Sequence, residues 1–112
     1  MDDRMPEVVE DRALHLLRGA IDLRARVLRM MNLRGWSTHW IHRSAYLHLE
    51  AAELAEAVRG KRGDPLDESG DVLITLLALS PYSLPEIVAA AERKLSRLEL
   101  LIPYAGEEHS RG

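Results

Sequence analysis

Glu50-Ala-Ala-Glu53 and Glu68-Ser-Gly-Asp71 each hold two acids three residues apart, and between them lies Arg59-Gly60-Lys61-Arg62-Gly63-Asp64-Pro65. Residues three apart on a helix share a face. Two glycines and a proline end one helix and open the next, so the connector predicts an antiparallel helical hairpin. Such a hairpin turns the two acidic edges toward each other and gathers four carboxylates in one small volume. Like charges that close cannot all stay ionised without compensation. A hard divalent cation, which takes oxygen ligands, is the simplest compensation, and Mg²⁺ is the expected ion. Singly, each pair is also what a solvated helix face carries, and Glu68 and Asp71 suit the positive end of a helix dipole. Their apolar setting argues for more. The expected core stripe of the first helix is Leu47, Ala51, Leu54 and Val58, with Glu50 and Glu53 at its border. The second helix, from Val72 to Leu79, has almost no polar face and is expected to be buried nearly all round.

The rest of the chain fits an all-α fold of four helices in a single domain spanning residues 1–112. Leu, Ala, Arg and Glu dominate and Phe is absent. With no Cys there is neither disulfide nor thiol chemistry. The net charge of −3 argues against a general nucleic-acid binder. No apolar run reaches the roughly 20 residues that span a bilayer, and the polar, acidic N-terminus is no signal peptide. A cytoplasmic protein with no membrane and no nucleic-acid partner is expected.

Helix one is predicted from about Pro6 to Met31 and carries two apolar stripes. Leu14, Leu17, Ile21, Leu28 and Met31 form one; Leu16, Ala20, Leu23, Val27 and Met30 form the other. Together they cover roughly 200° of the helix surface. Either the helix packs deeply in its own bundle or the second stripe meets another subunit. Arg24 falls inside this apolar arc and is read as snorkelling. Trp36 and Trp40 stand before helix two, which is predicted from Trp40 to Arg59 with Ser37 or Thr38 as its N-cap. A ring there either stacks on a nucleobase or closes the end of the bundle. His39 and His42 could share a face, yet without Cys or HExxH a zinc site is not expected. The basic connector lacks the GxxxxGK[ST] pattern and is no P-loop. Asp64-Pro65 caps helix three, which runs to about Ser80, and Ser83-Leu84-Pro85-Glu86 is a capping box for helix four. Helix four is expected to reach about Leu101, ahead of Pro103, with Val88, Ala91, Leu95, Leu98 and Ile102 as its core stripe. Lys94 and Arg97 share one edge and are either solubilising charge or phosphate contacts. The tail from Tyr104 to Gly112 reads as loose.

These residues resemble the MazG-like all-α nucleoside triphosphate pyrophosphohydrolases, marked by ExxE, a variable gap and ExxD. LEAAELAEAV precedes the gap and DESGDVLITLLAL includes the second motif, and the likeness extends from about Trp36 to Arg97. AERKLSRL resembles the family's basic closing helix at Lys94 and Arg97. Many members carry a further acid before the first Glu, where this chain has Leu49. The resemblance implies a four-helix bundle completed as a homodimer or homotetramer. It implies Mg²⁺, with Mn²⁺ as a substitute, held by Glu50, Glu53, Glu68 and Asp71. The implied reaction takes a nucleoside triphosphate and water to a monophosphate and pyrophosphate. Glu50 and Glu53 are the expected catalytic residues, Lys94 and Arg97 the phosphate contacts, and Trp36 or Trp40 the surface for the base. The alternative is a helical module of the same shape that binds metal or nucleotide without turnover.

Overall fold

The computed structural model describes residues 4–102; Pro103 and the tail lie outside them. Among the described residues there are four α-helices and no strand: α1 (Arg4–Arg34), α2 (Trp40–Val58), α3 (Pro65–Leu79) and α4 (Leu84–Glu99). The all-helical expectation holds, and each boundary has a local cause. Gly35 ends α1 at φ 66°. Its N–H donates to Asn32 O at 3.4 Å and that of Trp36 to Met31 O at 2.9 Å. Gly60 repeats the motif after α2 at φ 76°, with its own N–H on Ala57 O and that of Lys61 on Glu56 O, both at 3.0 Å. Each glycine takes the left-handed conformation that reverses the chain and satisfies the last helical carbonyls.

Asp64 caps α3 by accepting from Leu66 N at 3.4 Å, with Pro65 as the first helical residue. The capping box of α4 forms as expected. Ser83 N donates to Glu86 Oε1 at 3.0 Å and Glu86 N to Ser83 Oγ at 3.4 Å. The Ser83 N–H and then the Ser83 hydroxyl, which donates to Glu86 Oε1 at 2.8 Å, hold the Glu86 carboxyl below the usual carboxylate range. α2 starts at Trp40 as expected, but its cap differs. Its N-cap is His39, whose Nδ1 accepts from Ile41 N at 3.2 Å. Ser37 lies two residues before the cap and accepts from His39 N at 3.2 Å. An imidazole nitrogen here does the work of the hydroxyl expected from Ser37 or Thr38.

Val27 and Met31 of α1 close on Leu77 of α3, which is fully buried, and Leu23, Leu73, Ala78, Leu84 and Ile87 pack around them. Arg24 is half-buried beside this core, and its Nε donates to Ser80 O at the end of α3. The α2–α3 hairpin is the most extensive helix pair. Two expected registers, those of α2 and α4, are corrected. The inward face of α2 is Arg43, Leu47, Glu50, Leu54 and Ala57, whereas Ala51 and Val58 are exposed. Glu50 therefore lies within the buried stripe and not at its border. On α4 the inward residues end at Ala90, and Val88, Leu95, Leu98 and Ile102 are exposed. On α1 the covered residues are Ala20, Leu23, Val27 and Met31, while Leu14, Leu17, Ile21 and Leu28 are open. α3 is covered more evenly, though Ile74 and Leu66 are exposed.

Candidate metal and ligand site

The hairpin brings together the acids that the spacing pairs. Glu50 and Glu53 come from α2 and Glu68 from α3, and one oxygen from each lies within 4.8 Å of the others. All three side chains are half-buried. Glu50 Oε2 and Glu68 Oε2 are shut off from solvent and have no hydrogen-bond partner among the described residues. A buried carboxylate oxygen without a donor is costly. Burial first, then the Glu53 carboxylate, then Asp71 and Glu68, hold Glu50 above the usual carboxylate range. Glu68 is raised by burial and then by Glu53, Asp71 and Asp67, with Arg62 opposing. Asp71 is exposed and stands outside the tight trio, near enough for its charge to act on both. The donor set is all oxygen, which suits a hard cation such as Mg²⁺ or Ca²⁺. His39 and His42 lie at the exposed head of α2 with rings 5.6 Å apart and take no part in the acidic trio.

The connector reaches into this site. Gly63 has φ 83°, and a Cβ built there would stand 3.0 Å from Glu68 Oε1. The bare backbone at Gly63 thus leaves room for the carboxylate. Arg62 and Glu56 form an exposed ion pair at 3.5 Å across the same turn, of small energetic weight.

A cleft of about 360 Å³ opens beside the acids. Glu50 and Asp71 line one end; Trp36, Arg43, Tyr46, Ile74, Thr75 and Ala78 complete it. Its size falls within the usual range for a small-molecule site. The glycine turn after α1 places Trp36 in this wall. Trp40 lies elsewhere: it is 66% exposed and stacks on His39 at 6.0 Å. Lys94 and Arg97 are on the exposed half of α4 and do not line the cleft.

Arg43 was not among the expected site residues. It is only 7% exposed, and its Nε is buried without a partner among the described residues. Its guanidinium carbon lies 5.9 Å from the centre of the Trp36 ring and 4.7 Å from that of Tyr46. Both contacts are of cation–π type. A signal was present: Arg43 is seven residues before Glu50, two helical turns on the same face. Apolar periodicity overlooks a charged residue that faces inward. Trp36, Arg43 and Tyr46 also border a neighbouring cleft with Ser37 and His42. Family models, curated proteins and solved structures give no match to the chain.

Proposed function

We propose that the chain is a MazG-like nucleoside triphosphate pyrophosphohydrolase that takes a ribo- or deoxyribonucleoside triphosphate and water to the monophosphate and pyrophosphate. One observation carries this: three carboxylates from two helices converge within 4.8 Å, two of their oxygens buried and without donors among the described residues, and one of the three, Glu50, lines a cleft. Glu50, Glu53 and Glu68 would hold Mg²⁺ or its substitute Mn²⁺, with Asp71 beside them. When bound, the cation supplies positive charge that offsets the triphosphate and polarises the attacking water. Glu50 lies in the inward stripe of α2 and lines the cleft, so it orients the water and accepts its proton, with Glu53 next to it. The water oxygen bonds to the α-phosphorus as the bond to the α–β bridging oxygen breaks, and pyrophosphate leaves with the electron pair. Trp36 offers a ring to the base; the exposed Trp40 would join it only from another subunit.

In this reading the active species is a homodimer or homotetramer in the cytoplasm. Support comes from the open apolar stripes of α1 and α4, which a single chain leaves in water. Lys94 and Arg97 lie on that open half of α4, so their phosphate contacts depend on the assembly. Among the described residues no single helix is long and apolar enough to cross a membrane. The test is pyrophosphate release from ribo- and deoxyribonucleoside triphosphates with Mg²⁺. Release that requires the metal and is lost in Glu53→Ala supports the hydrolase. Mg²⁺ binding without release of pyrophosphate from any triphosphate would replace it with a non-catalytic binding module.

A further inference from the structure

Arg43 is a buried cation that meets no anion among the described residues. Among the described residues its side chain makes no hydrogen bond or ion pair, although burying a charge without a partner is expensive. Two aromatic rings hold the guanidinium in place. Its N–H donors meet no acceptor among the described residues, and the side chain lines the cleft. A guanidinium is planar, carries donors only, and fits best a partner offering two acceptors side by side. Arg43 also shares its cleft with Glu50, about 10 Å away along the helix axis. That separation suits a nucleotide with its phosphates at the acids and its base among Trp36, Arg43 and Tyr46.

We infer that Arg43 reads the base of the substrate and selects guanine or cytosine nucleotides over those of adenine, uracil and thymine. This rests on the nucleotide reading given above. Guanine presents N7 and O6 as adjacent acceptors, and cytosine presents O2 and N3. Adenine sets an amino donor beside N7, and uracil and thymine set an N–H between their two carbonyls. Either mismatch leaves one donor of the buried guanidinium unpaired. A bidentate arginine–base pair discriminates by about 5- to 150-fold.

The experiment compares kcat/KM for GTP, CTP, ATP and UTP with Mg²⁺ in the unmodified protein, in Arg43→Met and in Arg43→Lys. The expected result is a preference of about 5- to 150-fold for GTP or CTP, lost in Arg43→Met. It should shrink in Arg43→Lys, which keeps the charge but not the paired donors. If GTP is favoured, 7-deaza-GTP, which lacks the N7 acceptor, should lose the advantage; a cytosine reader favours CTP instead. Equal rates for all four bases, or a preference that survives in Arg43→Met, overturn the inference while leaving the hydrolase standing. The unmodified protein alone decides the first point if the variants fail to fold. If no triphosphate is hydrolysed, metal-free binding of GMP, CMP, AMP and UMP, followed by tryptophan fluorescence, separates the two ideas. A GMP or CMP preference lost in Arg43→Met sustains the base reader without the hydrolase. Indifference among the four ends both.

Discussion

Gly63→Ala tests whether Glu68 belongs to a metal centre, and Gly60→Ala is its internal control. Both glycines have positive φ, 76° at Gly60 and 83° at Gly63, so an alanine at either strains the backbone. That strain is about 1–2 kcal/mol, which lowers Tm by about 5–10 °C in a domain of this size. The two sites differ in what the new methyl meets. At Gly60 there is nothing within 4 Å; at Gly63 the methyl stands 3.0 Å from Glu68 Oε1. The carboxylate is the free end of a flexible side chain and gives way by a few tenths of an ångström. Metal sites tolerate ligand errors of only about 0.2 Å, and Mg²⁺ demands near-ideal geometry. The displaced ligand should weaken Mg²⁺ binding by about 10- to 100-fold, as a lost supporting contact does elsewhere. The assay is Tm against Mg²⁺ concentration. Both variants should start lower than the parent in EDTA. Gly60→Ala should then show the parent's Mg²⁺ midpoint, and Gly63→Ala a midpoint about 10- to 100-fold higher. Superimposable Mg²⁺ responses for the two alanines would refute the placement of Glu68 at the metal. No response in any of the three proteins would remove the metal altogether.

Glu50→Gln keeps shape and one ligand oxygen but weakens the proton acceptor, so kcat for triphosphate hydrolysis should fall about 100-fold or more while KM moves less; near-normal kcat at saturating Mg²⁺ shifts the role to Glu53. Without metal, melting should depend on pH in a defined sense. Glu50 and Glu68 have raised folded-state pKa values, so their contribution is fully present below the unfolded value of 4.5 and is lost as pH rises through the raised values. Glu86 has a lowered value and contributes above its unfolded 4.5, losing this as pH falls through its folded value. Tm in EDTA should therefore rise on acidification from about pH 7 to about pH 5 and rise less with Mg²⁺ present; a flat profile in EDTA contradicts the crowding of the acids. Replacing both Leu95 and Leu98 by Asp puts charge on the open face of α4. Light scattering should show the parent as a multiple of 12.6 kDa and the double variant at or near that mass; a parent already at 12.6 kDa ends the assembly proposal.

The caps and turns were legible because they depend on neighbours in sequence. Asp64-Pro65, Ser83 to Glu86 and Gly60 act where their residue types predict; the cap of α2 does not, since His39 takes the place expected of Ser37 or Thr38. The convergence of Glu50, Glu53 and Glu68 was legible for the same reason: two short spacings and one tight connector determine it. Registers were harder to read. On α2 the inward stripe contains Arg43 and Glu50, so an apolar pattern gives the wrong phase where polar side chains point inward. On α4 the strongest apolar stripe is the uncovered one, because periodicity marks a face for burial without naming what buries it. Asp71 belongs to the motif by spacing but stands on the exposed side of α3 in the single chain.

The acids all lie on the two helices that are adjacent in the chain and most extensively packed. Pairings between sequence neighbours form early in folding, since little loop entropy opposes them. The crowding of Glu50, Glu53 and Glu68 is therefore met on the way into the native state and not only after arrival. A cation, or a neutral residue at one of these positions, should act mainly by raising the refolding rate and leave the unfolding rate almost unchanged. The charge cluster that equips the hairpin for chemistry would then also set how quickly the chain can fold.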